Sequence, residues 1–182
     1  ARVSTLMGSG AMLNLALDAN ASQDKMKTVI NWGNNTDVTY GGQIAAVTRF
    51  FLTEGKKPLL QADIDVLPTK IILNDSVWNI RSSHIAIDSG RVFVDNFLVE
   101  RPNQFLCIDG RIAEKETDSC LVNLKNIDVK YVLDIVRFDD VEFSGHATGL
   151  VNLKSVLKDF SMNTHLNVHH FAVNSGLMGE AD

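Results

Sequence analysis

Val141-Glu142-Phe143-Ser144-Gly145-His146-Ala147-Thr148-Gly149-Leu150-Val151-Asn152-Leu153-Lys154 is the stretch whose reading decides the fold. Val141, Phe143, Gly145, Ala147, Gly149, Val151 and Leu153 alternate with Glu142, Ser144, His146, Thr148, Leu150, Asn152 and Lys154. Successive side chains of an extended strand leave opposite sides, so a period of two sorts the apolar set onto one face. One apolar and one polar face is the pattern of an antiparallel sheet covered on a single side. The same alternation runs through Leu13, Leu15, Leu17 and Ala19, and through Leu60, Ala62, Ile64 and Val66 against Gln61, Asp63 and Asp65. Turn signals stand between the runs: Gly33-Asn34-Asn35, Glu54-Gly55-Lys56-Lys57-Pro58, Asn74-Asp75, Ser89-Gly90 and Arg101-Pro102-Asn103. Ten or more strands follow, most of them joined as hairpins.

Composition agrees with a β-rich globular segment over residues 1–182. Val, Ile and Thr contribute 40 of 182 residues, which favours strands, and 15 Asn supply turns. Hydrophobic residues make up 45% of the chain and charged ones 21%, enough apolar surface to order the chain. A net charge of −5 speaks against a nucleic-acid surface, which shows as a basic excess. The chain starts at Ala1 without the layout of a signal peptide, and the expectation is a soluble piece of a longer protein.

Two segments depart from the period of two. Val129, Val132, Leu133 and Val136 fall at helical spacing, so Asp128 to Phe138 reads as a helix with Asp128 as its N-cap. Lys154 to Asp159 reads as a second helical turn.

A degenerate repeat adds a geometric constraint. Arg91–Val99, Leu121–Val129 and His165–Val173 share the form apolar-x-apolar-x-polar-large apolar-x-Val. In the first copy Val92 and Val94 belong to one phase, and Phe97 and Val99 to the opposite one. A one-residue slip reverses faces, so each copy needs a bulge, turn or strand end at its polar pair: Asp95-Asn96, Lys125-Asn126 and His169-His170. In the middle copy the strand is expected to give way to the helix. Breaks repeated at equivalent places bend a sheet, and a long bent sheet with one apolar face makes a trough.

Catalytic motifs are absent. Gly8-Ser9-Gly10 begins like a dinucleotide loop, but Leu13 stands where the third Gly belongs. No Walker loop, paired-His helix or Gly-x-Ser-x-Gly elbow occurs. His169 and His170 point to opposite faces of a strand, and His84, His146 and His165 lack ligand spacing. Asp63 and Asp65 share a face, and Asp139-Asp140 form a local pair, but both read as solvated positions. Cys107 and Cys120 fall in phases that send them to opposite faces, so no disulfide is expected. Neither a catalytic residue, a cofactor nor a metal is called for.

The apolar face is the candidate site. Its lining is Val92, Val94, Leu106, Ile108, Val122, Leu124, Val141, Phe143, Val151 and Val168. Gly145, Ala147 and Gly149 allow close approach of another backbone or of a ligand.

The run Leu73-Asn74-Asp75-Ser76-Val77-Trp78-Asn79-Ile80, followed by Ser83 to Phe97, resembles TamB-like proteins of the Bacteroidetes type, in the TamB/AsmA-like superfamily. So do Gln104–Gly110 and Asp118–Asp128, and Gly145 to Leu150 through Leu157-Lys158-Asp159 is similar to the superfamily's recurring Gly-x-x-x-Gly strand and turn. Phe160 replaces the Pro usual after that turn, and the resemblance is clearest over residues 59–179. It implies an elongated, U-shaped, taco-like and largely antiparallel sheet. It also implies a periplasmic segment of a bridge anchored in the inner membrane of a diderm bacterium, with a BamA-like outer-membrane partner reached by other parts of the chain. Such bridges act in translocation and assembly of outer-membrane or secreted proteins and in phospholipid transport. The expected partners are phospholipid acyl chains or unfolded outer-membrane protein strands. Two other readings stand beside this one: a chaperone-like module acting by β-augmentation, and a spacer with a closed core. Dimerisation of the isolated segment over its own apolar face is a further expectation.

Overall fold

The computed structural model describes residues 2–3, 14–34, 39–53, 59–114, 117–129, 143–173 and 176–181. It is mainly β, with 79% of residues in strands of one large antiparallel sheet that does not close into a barrel. The first half carries β1 (Arg2–Val3), β2 (Asn14–Ser22), β3 (Lys25–Gly33), β4 (Gly41–Leu52), β5 (Leu60–Val66), β6 (Thr69–Leu73) and β7 (Ser76–Ile80). The second carries β8 (Ser83–Asp88), β9 (Arg91–Arg101), β10 (Gln104–Ile112), β11 (Ser119–Asp128), β12 (Phe143–Lys154), β13 (Ser161–Val173) and β14 (Gly176–Ala181).

The fourteen strands form twelve. β5 pairs with β8 and β6 with β7 in one continuous register, from Ala62↔Ile87 and Val66↔Ser83 on to Thr69↔Ile80 and Leu73↔Ser76. They are one long hairpin, interrupted where Leu67-Pro68 faces Arg81-Ser82. Pro68 has no N–H to give to a ladder, so the pairing lapses there. The outer neighbours hold on, with Leu67 N donating to Ala45 O at 2.9 Å and Arg81 N to Leu98 O at 2.9 Å. Every strand therefore pairs with its neighbours in sequence, and the sheet is an up-and-down meander with β1 and β14 at its edges.

The hairpin turns use the residues expected of them. Asn74 and Asp75 both take positive φ (51° and 60°), as do Ser89 and Gly90 (49° and 82°), the backbone of a two-residue turn that matches strand twist. Asn103 follows Pro102 with φ 64°. The tight turn at Gln23-Asp24 was not anticipated. There Gln23 is forced to φ 56°, and the residue pair carries no Gly or Asn-Gly signal.

All three copies of the repeat carry a β-bulge, at the polar pair in the first two and one residue later, from His170, in the third. Register slips by one residue between Ile108 and Gly110 on β10, where β9 passes through Asp95-Asn96. It slips between Leu124 and Ile127 on β11, across Lys125-Asn126, and between Ser144 and His146 on β12, opposite His170 of β13. Asn96, Asn126 and His170 hold φ of 50°, 52° and 55°. Asn and His enter this left-handed region more readily than other residues bearing a Cβ. The displaced amides find new acceptors across the gap. Asn96 N donates to Asp109 Oδ1 at 3.1 Å, and Asn126 N to Thr148 Oγ1 at 2.9 Å.

The bulges restore phase. Val94 pairs with Gly110 while Phe97 pairs with Ile108, so Val92, Val94, Phe97 and Val99 share one face. Ile127 likewise rejoins the face of Val122 and Leu124. Bulges also bend and twist the strands that carry them, and the sheet curves with its apolar face inside. On that face Val66, Ile71, Trp78, Ile80, Leu124, Ile127 and Ala147 form one buried cluster.

The expected helices fare differently. Asp128 ends β11, paired with His146, and Val129 after it is helical, so the strand gives way to a helix where the spacing places one. The middle repeat copy runs as strand through its bulge at Lys125-Asn126 and then gives way to helix at Val129. Residues 130–142, which hold the rest of that expected helix and Val141, lie outside the described residues. Lys154 to Asp159 is no helical turn. Lys154 ends β12, and a tight connection follows, with Lys158 N donating to Ser155 O at 3.0 Å.

Gly149 shows how tightly a bulge is built. Its φ is +143°, and a Cβ there would lie 2.1 Å from the His165 carbonyl oxygen. The small residues of β12 thus admit the backbone of β13 rather than a ligand. Gly149→Ala is expected to lose more than about 2 kcal/mol in urea unfolding. Asn126→Gly should stay within about 0.5 kcal/mol of the parent, and Asn126→Val should lose about 1–2 kcal/mol.

Candidate functional site: an apolar trough

Paired registers run apolar side chains in rows across the curved sheet. Ile80, Val99, Leu106 and Leu124 stand in one row over four strands. Phe97, Ile108, Val122 and Val151 form the next, and Ile64, Ile85 and Val94 another. Val92 faces Ile87 and Ile112, and Val168 lies beside Ala147. Eight of the ten expected lining residues therefore share the trough face: Val92, Val94, Leu106, Ile108, Val122, Leu124, Val151 and Val168. Phe143 opens β12 paired with Val173, its side chain outside the description, and Val141 falls outside it altogether.

The sequence reading placed no lining residue before Val92, yet half of the trough lies there. Trp32, Ile44, Ile64, Val66, Ile71, Trp78 and Ile80 belong to the same packed face. The alternation of Ile64 and Val66 signalled this. Trp78 could be joined to them only once the β6–β7 pairing was known.

The described strands are a single layer. Among the described residues only ten apolar side chains are buried, Trp78 at 3% and Ile80 at 2% exposure among them, and most of the trough face is half-buried. A second packed layer would bury far more of these side chains.

The opposite face holds the charge. Arg49 Nη2 lies 2.7 Å from Asp65 Oδ2, and His84 Nδ1 lies 2.9 Å from Asp65 Oδ1. An ionised carboxylate only accepts, so Nδ1–H donates. His84 Nε2 approaches Asp63 Oδ1 at 3.7 Å. The hydrogen bond from His84 is the main force holding the Asp65 carboxyl below its usual range, with Arg49 assisting against partial desolvation. Asp88 is held down chiefly by Gln61 Nε2 at 2.7 Å, then by Ser89. Asp63 and Asp65, expected as simply solvated, are thus drawn into an ion-pair ladder. His84 reaches them because β8 pairs with β5 across the intervening β6–β7 hairpin.

Among the described residues no group of three or more His, Cys, Asp or Glu is placed to hold a metal ion. Cys107 and Cys120 are free thiols, as expected. Burial, with Asp109 nearby, pushes both thiols up, away from the reactive thiolate. Cys120 is 1% exposed, and Cys107 Sγ donates to Asn96 Oδ1 at 3.1 Å.

Comparison with family models, curated proteins and solved structures finds no match to the chain.

Two measurements probe this face. A carboxyl depressed on folding contributes stability above its unfolded value near 4 and loses that contribution as pH falls through the folded value. The stability difference between the parent and Asp65→Asn should therefore be present at neutral pH, diminish as pH falls below the ordinary carboxylate range, and shrink with added salt, since the pair is well exposed. Reduction should leave the intact mass unchanged, and iodoacetamide should label Cys120 only after denaturation.

Proposed function

We propose that the chain is a non-enzymatic periplasmic segment of an inner-membrane-anchored bridge, whose trough holds phospholipid acyl chains on their way to the outer membrane. The observation that carries this reading is the single-layered, curved sheet with continuous rows of apolar side chains on its inner face. Such a surface needs an apolar occupant, and each methylene it takes from water contributes about 0.8 kcal/mol. The resemblance of residues 59–179 to TamB-like proteins supplies the compartment and the BamA-like partner, both as parts of this proposal. Assembly of outer-membrane proteins is the companion activity, in which an extended substrate strand would pair with an edge at β1 or β14.

A photoreactive residue at Val122, Val151 or Val168 is expected to crosslink to lipid in cells, while one at Leu121 on the outer face is not. Protein adducts alone at the inner positions would favour the chaperone reading. Adducts to a second copy would indicate a dimer closed over the trough. Absence of lipid adducts at all three positions would overturn lipid conduction.

A further inference from the structure

Register and alternation assign a face to each residue of β2 to β13, and the trough face so defined carries one charged side chain among the described residues: Arg101. Arg101 follows Val99 on β9 and stands in the row of Trp78 and Gln104. The other arginines with described side chains lie on the outer face, each beside a carboxylate. Arg49 is 2.7 Å from Asp65, Arg81 Nε 2.6 Å from Glu100, Arg91 3.2 Å from Asp88, and Arg111 3.9 Å from Asp118. Arg101 has no carboxylate partner among the described residues.

Its surroundings hold it in place without neutralising it. The guanidinium lies over the Trp78 ring, 4.9 Å from the centroid, and its Nε donates to Gln104 Oε1. Gln104 is 8% exposed and uses its other end to donate to Asn126 O at 2.6 Å, the carbonyl of the second bulge. Both ends of that amide are committed, so the guanidinium is aimed by a fixed acceptor and an aromatic plane. Both Nη groups have no partner among the described residues. Beneath lies Trp78, 3% exposed, with an indole N–H that has no acceptor among the described residues. A half-buried cation beside an apolar surface is an unfavourable arrangement unless water or a counter-anion completes it. Arg101 sits next to the Pro102-Asn103 turn, at the lip of the trough, where an amphiphile lying on the apolar rows would bring its polar end.

We propose that Arg101, positioned by Trp78 and Gln104, is the headgroup site for an anionic, phosphate-bearing amphiphile whose chains lie on the rows of Ile80, Val99, Leu106 and Leu124. The two Nη groups form a planar fork that matches two phosphate oxygens, and the cation–π contact keeps that fork rigid. This inference rests on the trough as a lipid-binding surface and adds the sign and chemistry of the headgroup.

The test is calorimetric titration of the chain with short-chain phosphatidic acid, phosphatidylcholine and diacylglycerol, with glycerol phosphate as the soluble control. The parent is expected to prefer phosphatidic acid over diacylglycerol by about tenfold, the preference falling with salt. Arg101→Gln should lose that preference and keep its affinity for diacylglycerol. Arg101→Lys, which keeps the charge without the fork and serves if the Gln variant fails to fold, should keep only part of it. Equal preference in the parent and a folded variant overturns the headgroup site and leaves the trough standing. Binding of glycerol phosphate as tight as that of phosphatidic acid also overturns it, in favour of a soluble phosphate. Failure of every amphiphile to bind the parent overturns the trough reading itself, and the headgroup site with it.

Discussion

An antiparallel ladder can keep its apolar residues on one face only while the period of two is unbroken, and this chain breaks the period at each copy of its repeat. The β-bulge is the constraint on which the rest depends. At Asp95-Asn96, at Lys125-Asn126 and at His170, one extra residue is absorbed, and the apolar residues on either side return to the same face. The requirement is demanding: a backbone with positive φ, and a new acceptor for the displaced amide. Asn and His meet the first at Asn96, Asn126 and His170, and Asp109 and Thr148 meet the second at the first two bulges. Without these slips Phe97, Val99 and Ile127 would leave the trough for water, and polar neighbours would take their places. The bend that comes with each bulge turns a flat, one-sided sheet into a concave one.

The division of charge follows from the same geometry. With phase restored, nearly every ionisable strand residue falls on the outer face, where Arg49, His84 and Asp65 or Arg91 and Asp88 meet across strands. Surface pairs of this kind add little stability individually, but they occupy a face that would otherwise repel itself. The inner face is left mostly apolar, and among the described residues Arg101 is its one charged side chain, held over Trp78 by an amide that is itself fixed to a bulge carbonyl. The bulge at Asn126 thus serves twice. It keeps Ile127 in the trough, and its exposed carbonyl anchors the side chain that aims the guanidinium.

Much of this was legible in the residues. Phase conflict between Val92-Val94 and Phe97-Val99 located a break at Asp95-Asn96, open to a bulge, a turn or a strand end, and the register across β9 and β10 makes it a bulge. Asn74-Asp75 and Ser89-Gly90 announced turns because few residues tolerate two successive positive φ angles. Eight of the ten lining positions followed from the same parity count. The change from strand to helix after Asp128 was legible in the spacing Val129, Val132, Leu133, Val136, while the ladder partners of its last strand residues, His146 and Ala147, lie some twenty residues away and were not. Gly149 was open to two readings until the carbonyl of His165 was found where a side chain would go.

The sequence by itself determined the alternating faces, several of the turns and the need for a break at each polar pair, because these are local consequences of strand geometry and of the few residues that accept positive φ. It could not determine which distant strands pair. The joining of β5 to β8 across a hairpin, which sets His84 between two aspartates, depends on contacts about twenty residues apart. The placing of Arg101 over Trp78, the interruption at Leu67-Pro68 and the single-layered trough were likewise decided by tertiary structure alone. Each is a matter of register between strands, and register is chosen by the sum of all cross-strand contacts rather than by any one segment.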